Sequence, residues 1–207
     1  MNRKLSDQVH QLRKMLAEGQ AKQALRMCDS LIQRSPAEPI LHELAANCAT
    51  ALGRPTRAAA ALETVISLAP RRAAPHIAMA RLLRSAGRIA EAENHLKIAT
   101  QKEPRSFSTW YQLGLLLLKE KRLQEADLCG RRVTKLAEIN PAGWELRASV
   151  AQRNGQIGKA TDLLRRGIEF APESPRLHYS LGQLLREDCQ FEEAAKAYFK
   201  AEQLGFL

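Results

Sequence analysis

Aromatic residues are scarce in this chain, at 5% of all residues. Val and Ile are scattered rather than grouped in alternating runs, so little in the sequence is typical of β-strands. No stretch approaches the roughly 18 apolar residues that a membrane-spanning helix needs, and the amino terminus lacks the apolar centre of a signal peptide. We therefore expect an all-α protein of the cytoplasm, with no membrane partner.

Cysteine is also sparse, with four residues that lie 20, 81 and 60 positions apart: Cys28, Cys48, Cys129 and Cys189. Without a CxxC pair, neither a zinc knuckle nor a thioredoxin-like motif is supported. Free thiols in a reducing compartment are expected, with Cys28 and Cys129 acting as small apolar residues. No Ser-His-Asp or Cys-His grouping follows from spacing. The sequence thus predicts no catalytic centre, no cofactor and no enzyme activity.

A period of 34 residues runs through the whole chain. Alanines mark every step of it, at Ala24, Ala58, Ala92, Ala126, Ala160 and Ala194. Prolines at Pro36, Pro70, Pro104 and Pro172, and glycines at Gly19, Gly53, Gly87 and Gly155, keep the same frame. A further column of small or apolar residues is Leu12, Ala46, Ala80, Gly114, Ala148 and Gly182. The period defines six units, near residues 5–38, 39–72, 73–106, 107–140, 141–174 and 175–207.

Each unit has the pattern of two amphipathic helices joined by a glycine turn. In the third unit, the first helix is predicted near Pro75–Ala86 and the second near Ile89–Gln101. Gly87 can adopt the left-handed conformation that ends a helix, and Pro104 ends the second helix. One such hairpin cannot bury its apolar faces alone, so the units should stack on one another.

The spacing and residue types resemble the tetratricopeptide repeat over residues 5–207. The fourth unit carries the resemblance with Trp110, Leu113, Gly114, Ala126 and Val133, and the sixth with His178, Leu181, Gly182, Ala194, Tyr198 and Ala201. The resemblance implies one array over residues 1–207, a right-handed superhelical solenoid of about twelve helices with a concave groove.

Three departures from the pattern lead to further expectations. Glu138 replaces the expected proline, so we expect the second helix of the fourth unit to run longer. Lys121 and Cys189 replace glycine in the turn, a change that the turn should tolerate. The sixth unit ends without a polar capping helix, which predicts either a piece of a longer protein or an end that associates with a second copy.

Two motifs suggest chemistry and are rejected. His42, His76 and His178 share one repeat position with Trp110 and Trp144, which indicates a packing role rather than metal ligation. His10 and His95 have no partner by spacing. Residues 154–161 resemble a phosphate-binding loop faintly, but Ala160 stands where Ser or Thr would hold magnesium, and no strand precedes the loop.

The resemblance implies that the groove is lined by the first helix of each unit, at positions 2, 5, 9, 12 and 13. The candidate ligand-binding residues among them are Arg13, Asn47, Ile77, Arg81, Arg84, Tyr111, Leu115, Leu118, Lys119, Gln152, Arg153, Arg176, Tyr179, Gln183 and Arg186. The arginines can form forked pairs with carboxylates, so an acidic peptide or protein is the expected partner. An alternative is that the positive groove merely reflects the net charge of +10.

Three functions remain open. The leading hypothesis is a protein-interaction scaffold. The second is a module of a larger bacterial enzyme, because the Ala- and Arg-rich repeats are similar to those that precede sulfotransferase or glycosyltransferase domains. The third is RNA binding, for which phosphate contacts would need clustered basic residues. The densest basic pairs are Arg71-Arg72, Arg131-Arg132 and Arg165-Arg166, and a solvated outer face is the preferred interpretation of them.

Overall fold

The computed structural model describes residues 3–206; Met1, Asn2 and Leu207, the ends of the predicted array, lie outside the described residues. The described chain folds into twelve α-helices and contains no strand, so the prediction of an all-α helical-repeat fold is confirmed. The helices are α1 (Arg3–Ala17), α2 (Ala21–Arg34), α3 (Pro39–Ala51), α4 (Pro55–Leu68), α5 (Ala74–Ser85), α6 (Ile89–Lys102), α7 (Phe107–Lys119), α8 (Leu123–Leu136), α9 (Pro141–Arg153), α10 (Ile157–Phe170), α11 (Pro175–Glu187) and α12 (Phe191–Gln203).

Consecutive helices form six hairpins, and the hairpins form two compact units. Unit 1 ends at Pro104 and contains α1 to α6, whereas unit 2 begins at Arg105 and contains α7 to α12. In each unit the second helix of a hairpin packs against the first helix of the next. That all six hairpins belong to a single domain remains a prediction.

The alanine column is buried in every hairpin. Five of its members are fully buried, and Ala194 is 2% exposed. The second column of small or apolar residues is buried as well, from Leu12 to Gly182. A methyl group or a hydrogen at these positions lets two helix backbones approach closely, and each contact buries apolar surface. The repeat pattern in the sequence therefore corresponds directly to the packing of the hairpins.

Each first helix ends in the same hydrogen-bonded turn. In α3, for example, the amide of Arg54 donates to the carbonyl of Ala49, while Gly53 has a φ of 66°. This combination is a Schellman motif, which requires a left-handed residue. Lys121 and Cys189 occupy that position in two hairpins and adopt the same conformation, with φ values of 61° and 60°. As expected, the turn tolerates them.

The expected extension of α8 is wrong. The helix ends at Leu136, in register with the ends of α2, α4, α6 and α10. Glu138 takes the place of proline without prolonging the helix, because its carbonyl accepts a hydrogen bond from Trp144 Nε1 at 2.8 Å. The Asn140 side chain then accepts from the amide of Ala142 and caps α9. Contacts with the following hairpin, rather than a proline ring, set this helix end.

No helix in the described part of the chain has both the length and the apolar character that crossing a bilayer requires.

Candidate functional site

The first helices of unit 1 leave an open cleft between α3 and α5. We call it the unit 1 cleft; its volume is ≈ 430 Å³ and its lining consists of Ala46, Asn47, Thr50, Ala51, Leu62, Ala78, Arg81, Leu82 and Ser85. Leu62 of α4 is buried and forms part of an apolar floor with the alanines. An apolar floor with a few polar groups around it is the usual composition of a ligand-binding cleft.

Asn47 and Arg81 are the polar side chains of the unit 1 cleft that can contact a ligand. The Thr50 hydroxyl already donates to the carbonyl of Ala46 at 2.9 Å, and the Ser85 hydroxyl donates to that of Leu82 at 2.7 Å. Asn47 and Arg81 are exposed, and their side chains make no hydrogen bond or ion pair with any residue in the described range 3–206. The guanidinium of Arg81 is therefore available to a ligand from outside.

Unit 2 has a cleft at the equivalent place, between α9 and α11. This unit 2 cleft is smaller, at ≈ 70 Å³, and is lined by Glu145, Ala148, Ser149, Gln152, Leu164, Ser180, Gln183 and Leu184. Seven of these residues lie 102 positions after a residue that lines the unit 1 cleft, which is three repeat lengths. The shared register shows that both clefts arise from the same helix packing, with different side chains on their rims.

Glu145 gives the unit 2 cleft its chemical character. Its side chain is 12% exposed, and its Oε2 accepts a hydrogen bond from Arg176 Nη2 at 2.6 Å. Its other oxygen, Oε1, is buried without a hydrogen-bond partner among the described residues. Burial raises the pKa of Glu145, and the charge and hydrogen bond of Arg176 act in the opposite direction. Glu43 holds the corresponding position in unit 1 and pairs with Arg72.

The predicted basic residues of the groove separate into paired and unpaired ones. Arg176 is held by Glu145, and Arg153 Nη1 donates to the carbonyl of Leu118 at 3.0 Å. Those with no partner within the described chain are Arg13, Arg81, Arg84, Lys119 and Arg186; Arg84 is half-buried and the others are exposed. Spacing alone could not separate these groups, because the partners of Arg153 and Arg176 lie 35 and 31 residues away.

The remaining predicted groove residues are distributed over both units. In unit 2, Tyr111 stacks on Phe107 with ring centroids 5.6 Å apart, Leu115 is half-buried, and Leu118 is only 8% exposed and so belongs to the core. Tyr179 stacks on Phe206 at 4.3 Å. Gln152 donates to Glu187 at 2.6 Å, and Gln183 is exposed. In unit 1, Ile77 is half-buried.

The shared histidine and tryptophan position has a structural role. His42 Nε2 lies 2.8 Å from the carbonyl of Pro36, and His178 Nε2 lies 2.9 Å from that of Pro172. Trp144 makes the same bond to Glu138, also six residues earlier. Because a carbonyl only accepts, each ring nitrogen is the donor. The described residues hold no group of three or more potential metal ligands.

His76 departs from this pattern and contacts His95, which spacing had left without a partner. Their Nδ1 atoms lie 3.0 Å apart in a partly buried position between α5 and α6. The carbonyl of Pro70, which His76 would otherwise contact, accepts a hydrogen bond from Lys102 Nζ instead. The sequence could have predicted this contact. Positions 4 and 23 of a repeat pack together within a hairpin, and both are histidine in the third repeat only.

The cysteines differ sharply in burial, which predicts their reactivity. Cys28, Cys48 and Cys129 are buried and Cys189 is exposed, all as free thiols. Burial raises the pKa of Cys28 to about 12 and that of Cys129 to about 11, and it also raises the pKa of Cys48.

At pH 8 we expect one thiol per native chain to react rapidly with Ellman's reagent and four after denaturation, because the thiolate is the reactive form. A Cys189→Ser variant should show no rapid phase. A rapid reaction of two or more thiols in the native chain would contradict the burial.

Most arginines of the basic pairs already have partners among the described residues. Arg131 pairs with Asp127 at 2.8 Å, Arg165 with Glu193 at 2.8 Å, and Arg72 with Glu43. The guanidinium carbon of Arg166 lies 5.8 Å from the centre of the Trp144 ring. These contacts compete with phosphate contacts, so no observation favours RNA binding here.

Family comparisons agree with the hairpin packing. Models of the tetratricopeptide repeat match residues 15–82, 49–117, 107–140 and 146–205. The chain belongs to the tetratricopeptide repeat family. It is 26% identical over 183 residues to the tetratricopeptide repeat-containing protein trd-1 of Caenorhabditis elegans, a match that covers 88% of this chain and 23% of that protein. The chain spans less than a third of the length of the curated relatives it matches.

Solved structures show the same tetratricopeptide repeat fold. PilF of Pseudomonas aeruginosa superposes with a TM-score of 0.76 at 17% identity, over 97% of this chain and 91% of that one. YrrB, a tetratricopeptide repeat protein with an unusual peptide-binding site, superposes with a TM-score of 0.63 at 17% identity, over 86% of this chain and 92% of that one. None of these proteins is a transferase by its name, so the suggested relation to sulfotransferases gains no support.

Proposed function

We propose that this chain is a non-catalytic scaffold that binds a partner protein through a peptide segment, and that the unit 1 cleft holds an acidic side chain of that segment. The observation that carries the proposal is the Arg81 guanidinium, which is unpaired within residues 3–206 and lies at the rim of an apolar cleft. The apolar floor can receive a side-chain stem, Asn47 can bond a peptide backbone, and Arg81 can form a forked pair with a carboxylate. The peptide-binding site of YrrB, which has the same fold, supports the same use of these repeats.

A peptide-display selection against the whole chain tests the proposal. We expect the selected peptides to be enriched in Asp or Glu. For a selected peptide, Arg81→Ala should weaken binding measured by calorimetry about tenfold, the effect of losing one charge-assisted hydrogen-bonded pair. The difference between wild type and variant should shrink in high salt.

Arg26→Ala provides the matched control. Arg26 is exposed on α2, which does not line the unit 1 cleft, and its removal changes the net charge by the same amount. It should leave the affinity within about twofold of wild type. A selection without acidic enrichment, or equal losses for Arg81→Ala and Arg26→Ala, would refute specific acidic recognition in favour of a general effect of the charge of +10.

A further inference from the structure

A second open surface of unit 2 is a groove that α10, α11 and α12 line together. We call it the lysine groove, after the two lysines on its rim; its volume is ≈ 530 Å³. Its apolar base consists of Leu181 and Leu185 of α11, Ile168 of α10 and Ala197 of α12. A concave site of this size with a mostly apolar lining and a few polar groups is typical of ligand binding.

The lysine groove is open because the sixth repeat has smaller side chains at positions 4 and 23. In the fifth repeat these positions hold Trp144 and Leu163, which are both buried. In the sixth they hold His178 and Ala197, and both belong to the groove lining. His178 Nε2 donates to the carbonyl of Pro172 at 2.9 Å, which fixes the imidazole. The volume that an indole and a leucine fill in one hairpin is therefore accessible in the next.

The rim of the lysine groove carries two positive charges that no carboxylate compensates. Arg165 and Glu193 also lie on the rim, but they pair with each other at 2.8 Å. Lys196 and Lys200 are exposed, and their side chains make no hydrogen bond or ion pair with another residue in the range 3–206. The two lysines lie one helical turn apart on α12, as the two leucines of the base do on α11.

We propose that the lysine groove docks an acidic amphipathic helix of a partner protein, with its apolar side chains on the leucine base and its carboxylates paired with Lys196 and Lys200. Charge complementarity and spacing support this occupant, because side chains at i and i+4 of a helix share one face and recur at one-turn intervals. The inference rests on the proposed scaffold function and adds a second docking surface to the unit 1 cleft.

Two synthetic helical peptides serve as probes for the whole chain. One carries leucines at i and i+4 with glutamates beside them, and the other has lysine in place of each glutamate. In NMR titrations of the ¹⁵N-labelled chain, we expect the glutamate peptide to shift the amides of Leu181, Leu185 and Ala197, and the lysine peptide to leave them unchanged. Arg81→Ala should not alter these shifts, since Arg81 lies in unit 1.

Ala197→Leu tests whether the apolar part of the groove is used. It introduces the side chain that Leu163 has at the same position of the fifth repeat, and so fills the groove. Fluorescence anisotropy should show about tenfold weaker binding of the glutamate peptide, the effect of no longer burying one leucine side chain. Ala195→Leu is the matched control, because it adds the same atoms at an exposed position of α12 outside the groove lining. It should leave the affinity within about twofold of wild type.

The double variant Lys196→Gln, Lys200→Gln tests the charges and keeps the proposal testable if Ala197→Leu does not fold. It should weaken binding of the glutamate peptide about fivefold at low salt, and the difference should shrink in high salt. The control Lys22→Gln, Lys135→Gln removes the same charge from exposed positions outside the groove lining and should have no such effect.

The assignment is overturned if the lysine peptide shifts the amides of the groove as strongly as the glutamate peptide, or if neither peptide shifts them. Equal losses for Ala197→Leu and Ala195→Leu, or wild-type affinity of the double lysine variant, also contradict it. Failure of the peptide selection at the unit 1 cleft, with the shifts in unit 2 intact, would instead refute the proposed role of that cleft and leave the lysine groove standing.

Discussion

Replacing Gly167 by alanine should lower the stability of unit 2 by about 1–3 kcal/mol, the usual cost of overfilling a packed core. A Cβ atom on Gly167 would lie 2.8 Å from both Cβ and Cγ of Trp144. These atoms lie next to the backbone of α9 and cannot swing away as the end of a long side chain could.

Trp144 also makes several contacts that oppose its displacement by the added methyl group. Its ring donates to the carbonyl of Glu138 at 2.8 Å, stacks on Phe170 with centroids 5.5 Å apart, and lies beneath the guanidinium groups of Arg147 and Arg166. Any shift of the indole that accommodates Gly167→Ala would weaken several of these contacts together.

Gly158→Ala is the matched control in the same helix. No atom of the described residues lies within 4 Å of the Cβ position at Gly158, so alanine should raise stability there by up to about 1 kcal/mol through helix propensity. Urea denaturation followed by tryptophan fluorescence measures both variants, since Trp110 and Trp144, the two tryptophans of the chain, lie in unit 2. A denaturation midpoint for Gly167→Ala equal to or above that of Gly158→Ala would show that the indole can move.

Acidification from pH 7 to pH 5 should destabilise unit 1 through His76 and His95. Burial lowers the pKa of both rings, and for His76 the charges of His95 and Lys102 lower it further, whereas Glu91 and Glu63 act in the opposite direction on His95. The folded state therefore binds fewer protons than the unfolded state below pH about 6.5, the usual pKa of histidine. The stabilising effect of the neutral rings is complete above that pH and is lost as the pH falls towards the lowered pKa values.

The slope of this loss is at most about 1.4 kcal/mol per pH unit for each proton excluded from the folded state. Thermal denaturation followed by circular dichroism between pH 7 and pH 5 measures it. In the double variant His76→Trp, His95→Leu, both histidines are replaced by the residue types found at the same positions of the fifth repeat, Trp144 and Leu163. It should flatten the pH dependence, while His10→Gln, which changes an exposed histidine of α1, should not. Equal slopes in wild type and double variant would show that other groups are responsible.

The contacts of individual side chains were harder to predict from the sequence than the hairpins were. Repeat position predicted a structural role for His42 and His178, and both make the hydrogen bond that Trp144 makes in the same column. It could not show that Glu145 holds Arg176, or that Arg81 has no such partner in the part of the chain that the structure describes, since the two arginines occupy different repeat positions and their neighbours come from other hairpins.

The sequence alone determined the six hairpins, their turns and the buried alanine column, because a period of 34 residues requires the same close helix contact in every repeat. Tertiary structure decided what periodicity does not encode: the end of α8 without a proline, the contact between His76 and His95, and the guanidinium of Arg81 that has no partner among the described residues. Each of these depends on which side chains from different helices meet at a short distance, and both the strength of an ion pair and the cost of a buried polar atom are set at that distance.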